Sequence, residues 1–414
     1  IHYTHKETLG HTTRIIAIAH ALIENYGDKI SLHILQGGIP QAYVNFPAEA
    51  HVINIPHPFD SRASFKRITG TRHNSERAQF ILAQARRIIP DIFITEFFPF
   101  GRIDYLPELL PTLKYLFQKH SHIYASIGYP YLQSLSSVQE KRDNKILNKL
   151  LPFYNKLLIH TPPELENSYF LESLPSPELQ EKYQNFFASI KHKTIYTGYV
   201  TPHDALQPTI SIPVSTSKNP QHTVIVSRGG GTVYPKIILN AIQAQAILGD
   251  HYRFIIACGP ASSSQEQALF LSFHKKYNTR HVFLFNHIPS LGTLFKDCDA
   301  SISLCGYNTS VQLMQAGTPA IMIPYHHPQA RISTNDQIAR SLLMKCHFQS
   351  TIIPYINLSP KTLAKAVEEK CRLPRPKTAP AAWFCGGKAT ADILIQDSEN
   401  PYIRDNVLKL LRKP

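Results

Sequence analysis

Short apolar runs bounded by turn residues recur along this chain, with helical patterns between them, and this alternation constrains the fold more than any other feature. The runs Ile1–Thr4, Ile30–Leu35, Val52–Ile55, Ile92–Thr95, Ile123–Ala125, Leu157–Ile159 and Thr194–Tyr196 read as strands, with helical periodicity at Glu76–Ile89 and Pro107–Phe117. Strands that alternate with helices form βαβ units and a mainly parallel sheet. A second series runs through Thr223–Val226, Phe254–Cys258, His281–Phe285, Ala300–Leu304 and Ala320–Pro324. Its helical patterns fall at Pro235–Ile247, Ser263–Lys276, Leu291–Lys296, Thr309–Gln315 and Asn335–Met344. Between the two series, Thr201–Gln221 is rich in Pro, Ser and Thr and reads as a linker. A chain of 414 residues also exceeds one ordinary core. The expectation is α/β: two doubly wound domains, 1–200 and 222–380, joined by 201–221. A helical tail, 381–414, is expected to pack back on the first domain.

Lys and Arg outnumber Asp and Glu, 43 against 29, for a net charge of +14. That balance favours anionic partners: nucleic acid, phosphorylated ligands or an anionic membrane face. There is no arginine-rich tail, zinc-finger spacing or basic heptad, so no specific nucleic acid is expected. The six cysteines form no CxxC pair and read as free thiols in a reducing, cytoplasmic setting. No run approaches the roughly 20 apolar residues of a membrane span, so any membrane contact is expected at the inner face, peripherally. No signal peptide is visible; the chain opens inside an apparent strand without a Met, so a short preceding segment is expected.

Several strand-to-helix junctions carry candidate chemistry. Ser227-Arg228-Gly229-Gly230-Gly231-Thr232 follows a strand and precedes a helix. Glycines let the backbone approach a phosphate, and a helix N-terminus supplies N–H donors. A plain tight turn is the competing reading, since the segment lacks the Walker Lys and the GxGxxG spacing. Ser303-Leu304-Cys305-Gly306-Tyr307-Asn308-Thr309 has the same strand-then-helix setting, with Gln312 one turn into the helix. After Ala320–Pro324 come His326-His327-Pro328 and a helix opening at Asn335-Asp336-Gln337. In the first half, Thr95–Arg102 follows Ile92–Ile94 and brings Glu96 and Arg102 to a strand's C-terminal end, where open α/β sheets bind ligands. Base and acceptor clamp, or a Glu–Arg pair bracing the loop, are both open readings. Gly10-His11 follows the first strand in a loop that opens a helix.

These residues resemble family 28 of the glycosyltransferases, whose best-known member makes lipid II. They are closer still to a poorly characterised bacterial group of predicted glycosyltransferases. That group carries TE-x-FPFGR, YTGYV and S-x-GYNT segments, here Thr95–Arg102, Tyr196–Val200 and Ser303–Thr309. Gly10-His11 with Arg14 matches the family's first Gly-His loop. The resemblance spans nearly the whole chain and implies a GT-B fold, two Rossmann-like domains facing a cleft. It also implies uracil bound by the backbone at Asn286-His287-Ile288. The acidic residue that grips the ribose in the family is Gln312 here, an amide without charge. The polar pair after the last strand falls at Thr334-Asn335 or at Asp336-Gln337.

The implied reaction is an inverting transfer of a hexosyl or N-acetylhexosaminyl group from a UDP-sugar. The acceptor is a hydroxyl on a glycan, lipid or small molecule. The hydroxyl must lose its proton, which calls for a base, and the leaving diphosphate gains charge, which aimed donors stabilise. Candidates for the donor side are Gly10, Ser227, Arg228, Gly229, Gly230, Gly231, His287, Ile288, Cys305, Gly306, Tyr307, Asn308, Thr309, Gln312, Asn335 and Gln337. His11 and Glu96 compete as base. A pKa near about 6.5 favours His11, with Glu96 and Arg102 positioning the acceptor. No DxD motif stands in a suitable loop, so neither metal nor other cofactor is expected. The rival readings are a nucleotide-sugar hydrolase or 2-epimerase on the same fold, and a non-catalytic nucleotide-sugar or anionic-lipid binding protein.

Overall fold

The computed structural model describes residues 2–4, 9–37, 45–56, 71–100, 103–128, 145–165, 168–174, 176–201, 221–230, 234–289, 291–324 and 335–399. The linker expected at 201–221 lies almost wholly outside them, as do residues 400–414 of the tail.

The strands assemble into two sheets, parallel throughout. The first joins β1 (His2–Thr4), β2 (His33–Gly37), β3 (His51–Ile55), β4 (Ile92–Glu96), β5 (His122–Ile127), β6 (Lys156–Ile159) and β7 (Thr194–Tyr196). Its order is β3-β2-β1-β4-β5-β6-β7. The second joins β8 (His222–Ser227), β9 (Tyr252–Ala257), β10 (Val282–Phe285), β11 (Ala300–Ser303), β12 (Ala320–Met322) and β13 (Thr351–Ile352), in the order β10-β9-β8-β11-β12-β13. In each sheet the chain builds outward one way, returns to the middle and builds the other way. Doubly wound sheets do this because parallel strands need a crossover, and each helix must bury an apolar stripe on a sheet face.

The central strands are buried on both faces, as a sheet covered by helices requires. All of β5 is buried, and Val224, Val226, Phe254, Ile256 and Ile302 are fully covered in the second sheet's core. Local signals set several helix starts. Ser263 caps the helix Ser264–Lys276 reciprocally with Glu266, and Ser359 caps Pro360–Arg372. The last helix, Gly386–Glu399, packs along the first, Leu9–Tyr26. Tyr26 donates to Asp392 at 2.7 Å, and Lys156 to Asp397 at 2.8 Å. The chain thus leaves the second sheet, and its last described helix lies on the first half.

Some expected boundaries shift. Gly10-His11 is the first turn of a helix and not a loop. The second helix starts at Thr71, before the apolar periodicity at Glu76. The two-residue β13 and the helix Pro177–Ile190 were not anticipated. Among the described residues no helix is long and apolar enough to cross a membrane.

Candidate functional site

The crevice of a doubly wound sheet opens at the C-terminal ends of its strands, where the winding reverses. In the first sheet that point lies between β1 and β4. His11 sits just after β1, and Glu96 is the last residue of β4. Phe97 follows at φ 67°, a left-handed conformation rare for an aromatic residue. Its N–H donates to Ser126 O at 2.8 Å and its ring meets His11 edge-on, with centroids 5.4 Å apart.

Glu96 is wholly buried and its carboxylate is surrounded by donors. Oε1 accepts from His11 Nδ1 at 2.9 Å, from Arg14 Nε at 3.1 Å and from Arg14 Nη2. Oε2 accepts from Ser126 Oγ at 2.7 Å. A carboxylate only accepts, so His11 presents Nδ1–H to it, and this tautomer makes Nε2 the ring's basic nitrogen. Ser126 spends its single proton on Glu96 and therefore accepts from His160 Nε2 at 2.9 Å. His160 Nδ1 in turn lies 2.8 Å from Thr197 Oγ1. His160 is fully buried, so Thr197, His160, Ser126, Glu96 and His11 form one hydrogen-bonded chain from the interior to the crevice. Burial alone would lower the pKa of Arg14; the neighbouring Glu96 carboxylate outweighs it, and the guanidinium titrates above its ordinary value.

The second sheet reverses between β8 and β11, and two junctions meet there. After β8, Gly229 adopts φ 72° and donates its N–H to Ser227 Oγ at 3.1 Å. After β11, Gly306 opens the helix Tyr307–Ala316 with no side-chain cap, so the first-turn N–H groups lack that usual acceptor. A Cβ built on Gly229 or Gly306 would meet nothing within 4 Å, so both backbones border open space. Such a pair of turns is suited to an anion. His287 is half-buried after β10, and burial lowers its pKa and favours the neutral ring. Ile288 is buried in the core beside it.

The two crevices face each other through the start of the helix Tyr307–Ala316. Asn308 Nδ2 donates to Gly10 O at 3.3 Å. Tyr307 Oη donates to His160 O and accepts from Val200 N, each at 2.9 Å. Arg14 lies over the Tyr307 ring, 4.8 Å from its centroid, and Arg340 at 5.8 Å. Gly128 lets the guanidinium lie against its backbone: a Cβ there would fall 2.4 Å from Arg14 Nη1, and the guanidinium would have to shift.

Several expected roles are corrected by burial. Arg228 is fully buried and turned away from the crevice. It pairs with both carboxylate oxygens of Glu266, at 3.0 and 3.2 Å, and also binds Ser262 Oγ and Cys258 O, so its donors are spent on the fold and not on a phosphate. Glu96 has no exposed surface with which to position an acceptor, and among the described residues it pairs with the guanidinium of Arg14. The Cys305 side chain is buried against Ser310, leaving only its backbone for a ligand. The Tyr307 hydroxyl is engaged between the two halves. Gln312 is buried one turn into its helix, and Thr309 and Gln337 are half-buried beside the same crevice. Arg102, Gly231, Thr232, His326, His327 and Thr334 lie outside the described residues, as does the side chain of Asn335.

Sequence reasoning named Arg14 only through a motif and passed over Ser126 and His160. A positional signal existed: Arg14 is three residues from His11 on one helix face, and Ser126 and His160 end adjacent parallel strands.

Residues 224–383 match the family model described as the glycosyltransferase family 28 C-terminal domain. Among solved structures, the chain is similar to the glycosyltransferase of kitacinnamycin. The TM-score is 0.59 at 13% identity, covering 96% of this chain and 98% of that one. It is similar to a UDP-glucose:anthocyanidin 3-O-glucosyltransferase solved with UDP, with a TM-score of 0.58 at 13% identity, covering 97% and 94%. A putative UDP-N-acetylglucosamine 2-epimerase from Listeria monocytogenes gives 0.53 at 9% identity, covering 96% of each. The fold is GT-B. No curated protein matches the sequence. The junction after β11 and the helix carrying Gln312 both fall within the matched family 28 segment, while the His11–Glu96 site lies in the other half.

Proposed function

We propose that this protein is an inverting glycosyltransferase that moves a sugar from a UDP-sugar to an acceptor hydroxyl, with His11 as base. The observation that carries the reading is the 2.9 Å bond from His11 Nδ1 to a buried carboxylate at the switch point of the first sheet. A histidine held in this way has a fixed tautomer, and the adjacent carboxylate stabilises the imidazolium that forms when Nε2 takes a proton.

In the proposed step, His11 Nε2 takes the proton as the acceptor oxygen attacks the anomeric carbon. The bond from that carbon to the diphosphate oxygen breaks on the opposite face, and its electron pair leaves with the diphosphate. Backbone N–H groups of Gly230 and of the first turn at Tyr307–Thr309 receive the developing charge. The loop at His287-Ile288 takes the uracil, and Gln312 the ribose hydroxyls. Fixed dipoles answer the charge, so the step calls for no metal. The match of the second half to a family 28 domain and the general form of the crevice support the donor assignment. The transferred group in this reading is a hexosyl or N-acetylhexosaminyl unit, as the family 28 resemblance implies.

Thermal-shift and calorimetric titration with UDP and UDP-sugars tests the reading. Stabilisation by UDP, with sugar transfer to a hydroxyl acceptor that depends on His11, is the expected result. No stabilisation by any uridine nucleotide would overturn it. Release of UDP from a UDP-sugar with no acceptor present, unaffected by acceptors, would point to a hydrolase, and an epimerised sugar to an epimerase.

A further inference from the structure

The guanidinium of Arg14 is boxed on three sides. Its edge donates to Glu96, its Nη1 lies against the bare backbone of Gly128, and its face is covered by the ring of Tyr307. The first two neighbours belong to the same half as Arg14. Tyr307 does not: it is the residue after Gly306, at the head of the helix whose first turn faces the proposed diphosphate. Its hydroxyl is tied at both ends to the first half, donating to His160 O and accepting from Val200 N. The ring therefore cannot swing off Arg14 without giving up two hydrogen bonds.

We infer that Tyr307 is a positioning residue that couples the placement of the donor loop to the basicity of His11, acting through Arg14 and Glu96. This rests on the reading of the site given above. With Tyr307 seated, Arg14 stays on Glu96 and shares the carboxylate's negative charge. When the donor loop moves away, the ring leaves the cation, the guanidinium loses its lid, and Glu96 is less neutralised. A less neutralised carboxylate 2.9 Å from Nδ1 holds the imidazolium more tightly, which raises the His11 pKa and leaves less of the neutral ring to take a proton at neutral pH. Glu96 from β4, Arg14 from its own helix, Tyr307 and Asn308 from the second half, and His160 behind Ser126 are among the described polar or ionisable groups near His11. Arg340, paired with Asp336, lies on the Tyr307 ring beyond them. The base is thus tuned to accept a proton when the donor half is docked. It is held protonated, and kept from activating water, when that half is apart.

The test needs no acceptor and no donor. Histidine ring carbons are labelled, the His11 signal is assigned by its loss in His11→Gln, and its titration is followed by NMR in wild type, Tyr307→Phe, Tyr307→Leu and Tyr307→Met. Near-ultraviolet circular dichroism and melting identify the variants that remain folded. In Tyr307→Leu and Tyr307→Met the His11 midpoint should rise by roughly half a unit or more, because the ring over Arg14 is gone. Tyr307→Phe keeps the ring but loses the two hydrogen bonds that seat it, so its midpoint should rise less than in the Leu and Met variants. A merely structural tyrosine would lower the melting temperature without moving this midpoint. An unchanged midpoint in a folded Leu or Met variant overturns the coupling, as does an equal rise in Tyr307→Phe. A separate calorimetric titration of the wild type with UDP decides the donor reading, so the two failures are distinguishable.

Discussion

The two halves share a winding order, and their crevices open at the same topological point, yet the chemistry there is opposite. At the first switch point, charge is concentrated: a buried carboxylate, a buried guanidinium and a histidine meet within hydrogen-bond distance. At the second, the backbone is presented instead, through Gly229, Gly230 and the uncapped helix after Gly306. The arginine that follows β8 is folded inward onto Glu266. Topology decides where a ligand can sit. Side chains decide whether the crevice moves protons or holds an anion.

Breaking the charged half gives the largest expected effect. Glu96→Gln leaves Arg14 buried without its counter-charge, and removing one partner of a buried pair costs about 3–5 kcal/mol. Urea unfolding should show that loss, and sugar transfer should fall in the protein that remains folded. A stability close to wild type would mean that Arg14 finds another partner and that the pair does not organise the site. His11→Ala, by contrast, removes the proposed base from a partly exposed position. Turnover should drop by roughly a hundredfold or more while the UDP dissociation constant barely changes. Retained turnover would move the proton transfer elsewhere.

The neutral half is sharpened by Arg228. Arg228→Met removes hydrogen bonds to Glu266, Ser262 and Cys258 and should cost about 2 kcal/mol of stability. UDP affinity in the folded protein should be unchanged, because the guanidinium faces away from the crevice. A large loss of UDP affinity at unchanged stability would restore the phosphate role. A smaller effect is expected at Gln312. If it meets the ribose, Gln312→Ala should weaken UDP binding by about 1–2 kcal/mol, and Gln312→Glu should hold or improve it. Equal affinities for all three proteins would turn the residue away from the ligand.

The contrast also marks what the sequence could reveal. Strand runs such as Phe254–Cys258 and Ile92–Thr95 are continuous and apolar because parallel strands are buried on both faces, so the doubly wound class was legible. The β13 strand was not, because two residues carry no periodicity. Gly10-His11 read as a loop because Gly is a poor helix former and the apolar stripe begins only at Ile15, although the helix already starts at Leu9. The site itself was half legible. Glu96 ends a strand and His11 lies in the first turn of the helix that follows one, which are local signals, and both were named. Their partners are set by long-range packing: Arg14 meets Glu96 across 82 residues, and Arg228 meets Glu266 across 38. Nothing local distinguishes an arginine aimed at a phosphate from one folded back on a glutamate. Ser126 and His160 are ordinary residues in a linear reading and become a chain only when β4, β5 and β6 lie side by side.

The smallest expected effect lies in the pair that turns Arg228 away, and it appears only in acid. Glu266 accepts from Arg228, which above all holds its carboxyl below the ordinary range; its role in capping the helix Ser264–Lys276 adds to this. A group whose folded pKa is depressed stabilises the fold fully above its unfolded pKa and loses that contribution as pH falls through the folded value. Glu266 should therefore add to the acid limb of the stability curve and contribute no pH dependence near neutrality. Its side chain keeps 22% of its surface exposed, so solvent screens the pair and the contribution is modest. Urea midpoints of wild type and Glu266→Gln, taken between about pH 6 and pH 3, should converge as acid protonates the wild-type carboxylate. The gap should be widest at the upper end of that range. A gap that stays constant down to the lowest pH would show that packing and capping, and not the charge on Glu266, keep Arg228 turned inward.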